Sequence, residues 1–195
     1  MSPRIVAGRA RNRPLRTLPG LGLRPTSERV RSALFAVLGR RVVGARVLDL
    51  YAGTGALGLE ALSRGARWAD FVEADPRACR LIRENLAGLG MEGQGRVLCR
   101  RVERALPALE GPYDLVLADP PYDLWPLDPL LTALGRPGLL APSAWVVVEH
   151  SARRDPPERA GPLVRRDRRT YGDTALSFYT REQESDGPSD VPGVL

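Results

Sequence analysis

The chain of 195 residues contains no lysine, a single histidine and only two cysteines. Cys79 and Cys99 stand singly, without a C-x-x-C pair or a histidine cluster, so we expect neither a zinc site nor a disulfide framework and predict no bound metal. His150 ends an apolar run, and we interpret it as an ordinary strand-end residue rather than a catalytic base. Chemistry that depends on a histidine therefore has one weak candidate.

Long apolar runs are also lacking. The nearest to one, residues 138–148, is shorter than the roughly 20 residues that cross a bilayer and is interrupted by Pro142. The first residues are basic, but no apolar core of a secretory signal follows them. A hydrophobic fraction of 43% in a chain of this length indicates one globular domain. We expect a cytoplasmic protein without a membrane partner.

All 29 basic residues are arginine, and they are unevenly placed. Residues 1–46 contain eleven arginines and one acid, a local balance of +10 in a chain whose net charge is +6. Such a segment suits phosphate backbones, although a solvated tail would have the same composition. A second basic stretch, residues 153–169, contains seven arginines. We predict a basic N-terminal arm over residues 1–26, a single folded domain over 27–181 and a disordered acidic tail over 182–195.

Short apolar runs alternate with segments of helical periodicity, which is the pattern of a doubly wound α/β sheet. Ser27 is expected to cap the first helix, which ends near Gly39. The last two apolar runs have no helix-length connection between them and are predicted to form an antiparallel hairpin. The sequence thus predicts a Rossmann-like, mostly parallel sheet of seven strands with helices on both faces. The predicted strands cover residues 45–51, 68–73, 96–102, 113–122, 145–150, 164–169 and 175–180.

The first candidate site is a glycine-rich turn between the first predicted strand and the helix after it. Gly53, Gly55 and Gly58 have G-x-G-x-x-G spacing, which lets the backbone approach a ligand at a helix start. Glu73 follows Gly53 by 20 residues, where an acid binds ribose hydroxyls, so we predict a nucleoside-containing cofactor rather than only a tight turn. Asp49 would repel a pyrophosphate and attract a cationic amino-acid end, which favours S-adenosylmethionine over NAD.

The second candidate site is Asp119-Pro120-Pro121-Tyr122, at the predicted end of the fourth strand. Open α/β sheets bind ligands at that edge. The adjacent prolines remove two N–H donors and restrict the backbone, so the Asp119 carboxylate and the Pro120 carbonyl can accept both hydrogens of an aromatic amine. Tyr122 can stack on the base, and catalysis would then consist mainly of positioning. The alternative is a plain Pro-rich turn.

Three segments of the chain, DLYAGTGALGLEAL, FVEAD and DPPY, resemble class I S-adenosylmethionine-dependent methyltransferases of the branch that modifies amino groups. The chain also resembles the RsmD family, bacterial enzymes that methylate a guanine N2 in small-subunit ribosomal RNA. This resemblance covers roughly residues 4–180 and is carried by the segments RIVAGRARNRPL, LRPTSERVRSALFAVL, GALGLEALSRGA and YGDTALSFY. The resemblance implies an rRNA methyltransferase that takes its methyl group from S-adenosylmethionine. It also implies 16S rRNA, or the small ribosomal subunit during assembly, as the partner. Separately, we expect the protein to be a monomer.

The resemblance also implies roles for individual residues. Asp49, Gly53 and Gly55 would line the methionine half of the cofactor, Glu73 would hold the ribose, and residues 119–122 would hold guanine. The complete cofactor set is Asp49, Tyr51, Ala52, Gly53, Thr54, Gly55, Glu73, Ala74, Val102 and Asp119, and the catalytic set is Asp119, Pro120, Pro121 and Tyr122. The arginines expected to contact RNA are Arg9, Arg11, Arg13, Arg16, Arg24 and Arg29.

One position departs from the wider methyltransferase pattern. Many members place Asp or Asn near the adenine amino group after the third strand, whereas here Arg101 or Val102 stands in that place. Either backbone groups at this position bind the adenine, or the side chain of Glu103, one residue further along the chain, binds it instead.

Three other functions are compatible with parts of the sequence. The DPPY tetrad also positions the target amine in DNA adenine-N6 and cytosine-N4 methyltransferases. The predicted methyltransferase core, however, occupies nearly all of the 195 residues, and we see no DNA-recognition domain beside it. A non-catalytic RNA-binding assembly factor would be expected to have lost one of the two motifs, and both are present. An NAD-dependent oxidoreductase is supported by the glycine spacing alone.

Overall fold

The computed structural model describes residues 3–17 and 27–182. Its strands are β1 Arg46–Leu50, β2 Trp68–Glu73, β3 Gly95–Cys99, β4 Tyr113–Ala118, β5 Leu140–Ser151, β6 Arg159–Ala160, β7 Leu163–Tyr171 and β8 Thr174–Arg181. They form one sheet in the order β3-β2-β1-β4-β5-β8-β7-β6. Neighbours from β3 to β5 run parallel, and the remaining neighbours are antiparallel. The predicted α/β architecture, mostly parallel with a C-terminal antiparallel hairpin, is confirmed.

The predicted number of seven strands needs a correction, because β6 adds an eighth. It pairs with β7 through Arg159 opposite Val164 and Ala160 opposite Leu163. A strand of two residues is too short to show the alternation of apolar and polar residues by which strands are predicted.

In the part of the chain that the structure describes, five α-helices flank the sheet: α1 Glu28–Leu38, α2 Ala56–Ser63, α3 Pro76–Gly88, α4 Val102–Ala105 and α5 Asp128–Leu134. The Ser27 side chain accepts a hydrogen bond from the Val30 amide at 3.2 Å, so its prediction as the first helix cap is confirmed. Asp75 caps α3 in the same way, with Pro76 at the first helical position, where a missing N–H costs nothing. Helix α4 is only four residues long because Pro107 follows it in a 3₁₀ turn.

The hydrophobic core lies in two layers, one on each face of the sheet. Alternate residues of β1 point to opposite layers: Val47 belongs to the first and Leu48 to the second. The first layer contains the buried faces of α1, α2 and α3, and the second contains those of α4 and α5. Helices therefore cover both faces of the sheet, as predicted.

The basic N-terminal segment, residues 3–17, is packed onto this core. Ile5, Ala10 and Leu15 are buried in the first layer. The amides of Val6 and Ala7 donate to the Glu60 carboxylate of α2, at 2.8 and 3.0 Å. A solvated tail, which the composition left open, is therefore the wrong interpretation for these residues.

The remaining sequence-based predictions concern Arg24, the acidic tail, His150 and membrane spans. Arg24 and the predicted acidic tail beyond Glu182 lie outside the described residues. His150 is buried, with its ring nitrogens 2.9 Å from the Ser151 carbonyl and 2.8 Å from the Ser177 hydroxyl. Within residues 3–17 and 27–182, none of the helices has the length and apolar character needed to cross a membrane.

Candidate active site

A cavity of about 840 Å³ opens at the carboxyl edge of the parallel strands, where β1, β2, β4 and β5 end. This is the edge at which open α/β sheets bind ligands. All four residues of the predicted catalytic set line it, and so does the predicted cofactor set with one exception, Gly55. Two motifs that are about 70 residues apart in the sequence thus meet in one cavity.

The glycine loop, residues 51–55, joins β1 to α2 with a left-handed residue at Gly55, the N-cap of the helix. Gly55 lies behind the loop against Ile82, which explains why it does not line the cavity. Gly58, one turn into α2, faces β2: a Cβ atom there would lie 2.4 Å from Cε1 of Phe71. Only glycine lets this helix approach the sheet so closely, and that approach sets the position of the loop.

The Glu73 carboxylate, at the end of β2, binds the glycine loop directly. Its Oε2 accepts from the Gly53 amide at 2.8 Å, and its Oε1 accepts from the amides of Ala74 and Asp75 at 2.7 and 2.9 Å. A carboxylate has about four acceptor positions, so one remains for a ligand hydroxyl. Glu73 therefore fixes the loop and faces the cavity at the same time.

The Asp49 carboxylate forms part of the cavity wall next to α2. Its side chain is buried, and its Oδ2 accepts from the Gly58 amide at 2.9 Å. Burial raises the pKa of Asp49 well above its ordinary value; the Gly58 hydrogen bond opposes this shift, and the negative charges of Asp119 and Glu73 add to it. A cation brought into the cavity would relieve this electrostatic cost.

The D-P-P-Y segment follows β4 and is tied down from two sides. The Asp119 amide donates to the Leu50 carbonyl of β1 at 3.4 Å. The Tyr122 carbonyl accepts from Nη1 of Arg154 at 2.7 Å, and the same guanidinium lies over the Trp125 ring at 5.2 Å. Tyr122 is 49% exposed and lines the cavity, so it is accessible to a ligand there.

Sequence reasoning missed several residues of the cavity wall. Glu149 lies in β5 and is only 8% exposed, and the sequence pattern marks it as no more than part of a strand. The β7–β8 turn also lines the cavity through Tyr171, Gly172, Asp173 and Thr174. The position of Glu149 at the carboxyl end of an apolar run was the available signal, since the carboxyl ends of parallel strands share one edge.

The structure shows where the residues lie that replace the Asp or Asn found near the adenine amino group in many methyltransferases. Arg101, Val102 and Glu103, at the start of α4, all line the cavity. Val102 is buried, whereas Arg101 and Glu103 are exposed. Both alternatives for the adenine contact, the backbone and Glu103, are thus within the cavity wall.

The arginines predicted to contact RNA, Arg24 apart because it falls outside the described residues, do not belong to the cavity wall. Arg9, Arg11, Arg13 and Arg16 belong to the packed N-terminal segment, and Arg29 is exposed on α1. These arginines lie outside the lining of the cavity.

The cavity wall is strongly acidic, although the chain as a whole is basic. Among the described residues that line it, Arg101 is the only base. The acids that line it are Asp49, Glu73, Glu103, Asp119, Asp123, Glu149 and Asp173. Low-dielectric walls with one sign of charge concentrate ligands of the opposite sign, so this cavity fits a cationic ligand.

The fold and the cavity together define the class I, Rossmann-like S-adenosylmethionine-dependent methyltransferase fold. The model of a family described as "Conserved hypothetical protein 95" matches residues 3–180. The chain belongs to this family, the RsmD family, and the predicted resemblance is confirmed.

Individual relatives agree with that assignment. The chain is similar to "Ribosomal RNA small subunit methyltransferase D" of Escherichia coli (strain K12), with 35% identity over 96% of this chain and 94% of that protein. Its fold is similar to a solved structure described as "Putative methyltransferase yhhF from Escherichia coli", with a TM-score of 0.82, 34% identity and coverage of 92% and 97% of the two chains. A hypothetical protein of Thermus thermophilus is similar at a TM-score of 0.78, with 34% identity over 92% of this chain and 99% of that one.

Proposed function

We propose that this protein transfers a methyl group from S-adenosylmethionine to the exocyclic N2 amine of a guanine in 16S ribosomal RNA. One observation carries the proposal: the glycine loop and the D-P-P-Y segment line the same acidic cavity. The name of the Escherichia coli relative, a ribosomal RNA small subunit methyltransferase, supports the class of substrate. The guanine-N2 position rests on the family resemblance of the motifs.

The charges of the cavity fit this cofactor better than a dinucleotide. S-adenosylmethionine carries a sulfonium and an ammonium cation against one carboxylate, whereas NAD carries two anionic phosphates. Buried Asp49 and nearly buried Glu149 would face a pyrophosphate at a high electrostatic cost. The same carboxylates attract cations, so the cavity favours the methyl donor.

The residues that would hold the cofactor follow from their positions. Asp49 would attract its cationic methionine end, the amides of the glycine loop would approach it closely, and Glu73 would accept a hydrogen bond from a ribose hydroxyl. When bound, the cofactor supplies an electrophilic methyl group on a positively charged sulfur.

The D-P-P-Y segment would position the target amine. An aromatic amine is a poor nucleophile because its lone pair is delocalised into the ring. Hydrogen bonds from its two hydrogens to the Asp119 carboxylate and the Pro120 carbonyl would turn the lone pair towards the methyl group, and Asp119 would hold the proton that the amine loses. Stacking on Tyr122 would fix the base, at about 1–3 kcal/mol by analogy with other base–aromatic stacks.

The arginines of residues 3–17 would bind the RNA backbone. Arg9, Arg11, Arg13 and Arg16 are exposed on a segment that is already folded against α2. Phosphate contacts from such arginines supply affinity that does not depend on base sequence and orient the RNA on the protein. Recognition of the particular guanine would then fall to the cavity.

The decisive experiment is a methyl-transfer assay with radiolabelled S-adenosylmethionine. The protein is incubated with unmethylated 16S rRNA, with small ribosomal subunits from cells that lack the enzyme, and with duplex DNA, and the products are digested to nucleosides. We expect N2-methylguanosine from one of the ribosomal substrates. Label in DNA as N6-methyladenine or N4-methylcytosine would replace the proposal with the DNA alternative, and no transfer to any of the three would refute it.

A further inference from the structure

Asn85 connects the N-terminal segment to the cofactor loop. It lies in α3 and is 3% exposed. Its Oδ1 accepts from the Arg16 amide at 2.8 Å, and its Nδ2 donates to the Arg16 carbonyl at 3.2 Å and to the Thr54 carbonyl at 3.1 Å. Thr54 belongs to the glycine loop and lines the cavity. One side chain therefore bonds both to the basic segment and to the loop that would hold the cofactor.

The position of Asn85 would otherwise suit an apolar residue. It lies on the buried face of α3 beside Leu81, Ile82 and Leu86. A buried amide is unfavourable unless its hydrogen bonds are made, and here three of its possible four are formed. An apolar side chain would leave both backbone groups of Arg16 and the Thr54 carbonyl without this partner.

The remaining contacts of the N-terminal segment avoid the cofactor loop. The Ala10 amide donates to Oγ of Ser63 at 3.0 Å, and that hydroxyl donates to the Ala7 carbonyl at 2.6 Å. Glu60 forms a buried ion pair with Arg31 at 3.5 Å and binds the amides of Val6 and Ala7. These contacts fasten the segment to α2, and the side chains of Arg13 and Arg16 also bond to Gly88 and Glu84 of α3. Within residues 3–17 and 27–182, Asn85 is the partner of the segment that also bonds to the cofactor loop.

We propose that Asn85 is a positioning residue that couples cofactor binding to RNA binding. This inference rests on the proposed function. A cofactor that restrains the glycine loop also restrains the side-chain amide of Asn85, which bonds to Thr54. This further limits the motion of the already packed Arg16 backbone before RNA arrives. RNA then binds with less loss of conformational entropy, and by thermodynamic linkage RNA raises the affinity for the cofactor by the same factor.

The test measures binding rather than turnover. S-adenosylhomocysteine, which has no methyl group to transfer, is titrated into the full-length protein with and without saturating 16S rRNA transcript, at one fixed salt concentration. For the unaltered protein we expect RNA to lower the Kd of S-adenosylhomocysteine by at least about fivefold, the lower end of common coupling factors. Equal Kd values with and without RNA would overturn the inference.

Two variants test whether Asn85 is responsible for the coupling between RNA binding and cofactor binding. With Asn85→Ala, the two Kd values should agree within about twofold, because the bridge is removed. The matched control is Ser63→Ala, which loosens the segment at α2 without touching the loop: RNA affinity should fall, while the coupling factor stays within about twofold of the original. Full coupling in Asn85→Ala, or its loss in Ser63→Ala alone, would overturn the assignment.

A second variant at the same position covers the case in which Asn85→Ala does not fold. Asn85→Leu leaves no cavity and suits the apolar face of α3, but it removes all three hydrogen bonds, so it should also lose the coupling. If the unaltered protein binds S-adenosylhomocysteine but neither the 16S rRNA transcript nor small ribosomal subunits, the proposed function fails and the inference fails with it; if it binds only the subunits, the titrations are made with subunits in place of the transcript. If both ligands bind but do not affect each other, only the inference fails.

Discussion

Burial determines how Asp49 responds to a ligand. Its carboxylate is enclosed by protein and lies near Asp119 and Glu73, which together with burial raise its pKa. A cationic ligand stabilises the ionised form and so lowers the pKa. Binding therefore releases a proton wherever the pH lies between the pKa of the complex and that of the free protein.

We predict that the affinity for S-adenosylmethionine rises as the pH increases through this interval. Calorimetric titrations in two buffers of different ionisation enthalpy should show the release of protons. With Asn in place of Asp49, proton release should diminish, and cofactor affinity should fall more than RNA affinity does. The same proton release in Asp49→Asn and in the unaltered protein would contradict this role for Asp49.

Asp119 belongs to both the predicted cofactor set and the predicted catalytic set, and we expect its main contribution to be to the target amine. Asp119→Ala should abolish methyl transfer, since the amine loses a hydrogen-bond acceptor, while the Kd for S-adenosylmethionine stays within about tenfold, or ~1.4 kcal/mol. Glu110→Ala is the matched control, because Glu110 is an exposed acid that does not line the cavity. Unchanged turnover in Asp119→Ala would refute the proposed role.

At the scale of elements, the distance between α2 and the sheet determines where the glycine loop lies. Gly58→Ala would place a Cβ atom 2.4 Å from Cε1 and 2.9 Å from Cζ of Phe71, so the helix must shift. We expect a loss of about 1–3 kcal/mol in the free energy of unfolding, as for other overpacked cores, together with weaker cofactor binding.

Gly88→Ala is the control for this prediction. Gly88 is exposed at the end of α3, and its added Cβ would meet no atom within 4 Å. Alanine is the better helix former, so stability should stay equal or rise by up to about 1 kcal/mol. Thermal denaturation of both variants measures the difference, and equal stabilities would show that α2 is not held by close packing.

The packed N-terminal segment should bind RNA through its arginines. Replacing Arg9, Arg11 and Arg13 together by Ala should weaken RNA binding and flatten its salt dependence, by about 0.7–0.9 in log–log slope for each phosphate that is no longer neutralised. A charge-matched control replaces Arg159, Arg166 and Arg169, which bond within the protein to Glu182, Thr180 and Asp167. If the control flattens the slope equally, net charge rather than the segment determines binding.

Local patterns predicted most of the elements correctly, and the failures have physical causes. The strands through β5 are apolar runs between turn residues, and Ser27 marks a helix start by its side-chain chemistry. The docking of residues 3–17 was not predictable, because the partners of Val6 and Arg16 are Glu60 and Asn85, more than 50 residues along the chain. Contacts of that kind depend on the assembled core.

At the scale of the whole molecule, the cavity combines residues from distant parts of the chain. The two motifs could be recognised because each is a continuous run with a local conformational reason. Glu149 and the turn at Tyr171 to Thr174 join them only because β5 lies between β4 and β8 in the sheet. Strand order is set by packing of the complete fold, so the position of Glu149 at the end of an apolar run was a signal only in combination with that order, and no segment indicated the turn.

In the molecule as a whole, negative and positive charges lie in different places. Acids line the cavity, while the net charge of the chain is +6 and arginines dominate the exposed N-terminal segment. Exposed charges are screened over about 10 Å at 0.1 M salt, whereas buried ones are screened far less. RNA binding and cofactor binding should therefore respond differently to ionic strength.

We predict that raising salt from about 50 to 200 mM weakens RNA binding strongly, by about 10³–10⁵ if six to ten phosphates are contacted. Over the same range the Kd for S-adenosylmethionine should change by less than about threefold, because Asp49 and Glu149 lie within the protein. Filter binding for RNA and calorimetry for the cofactor, on one preparation, provide the comparison. A steep salt dependence of cofactor binding would mean that the cavity acids are solvated in solution, and the preference for a cationic ligand would lose its physical basis.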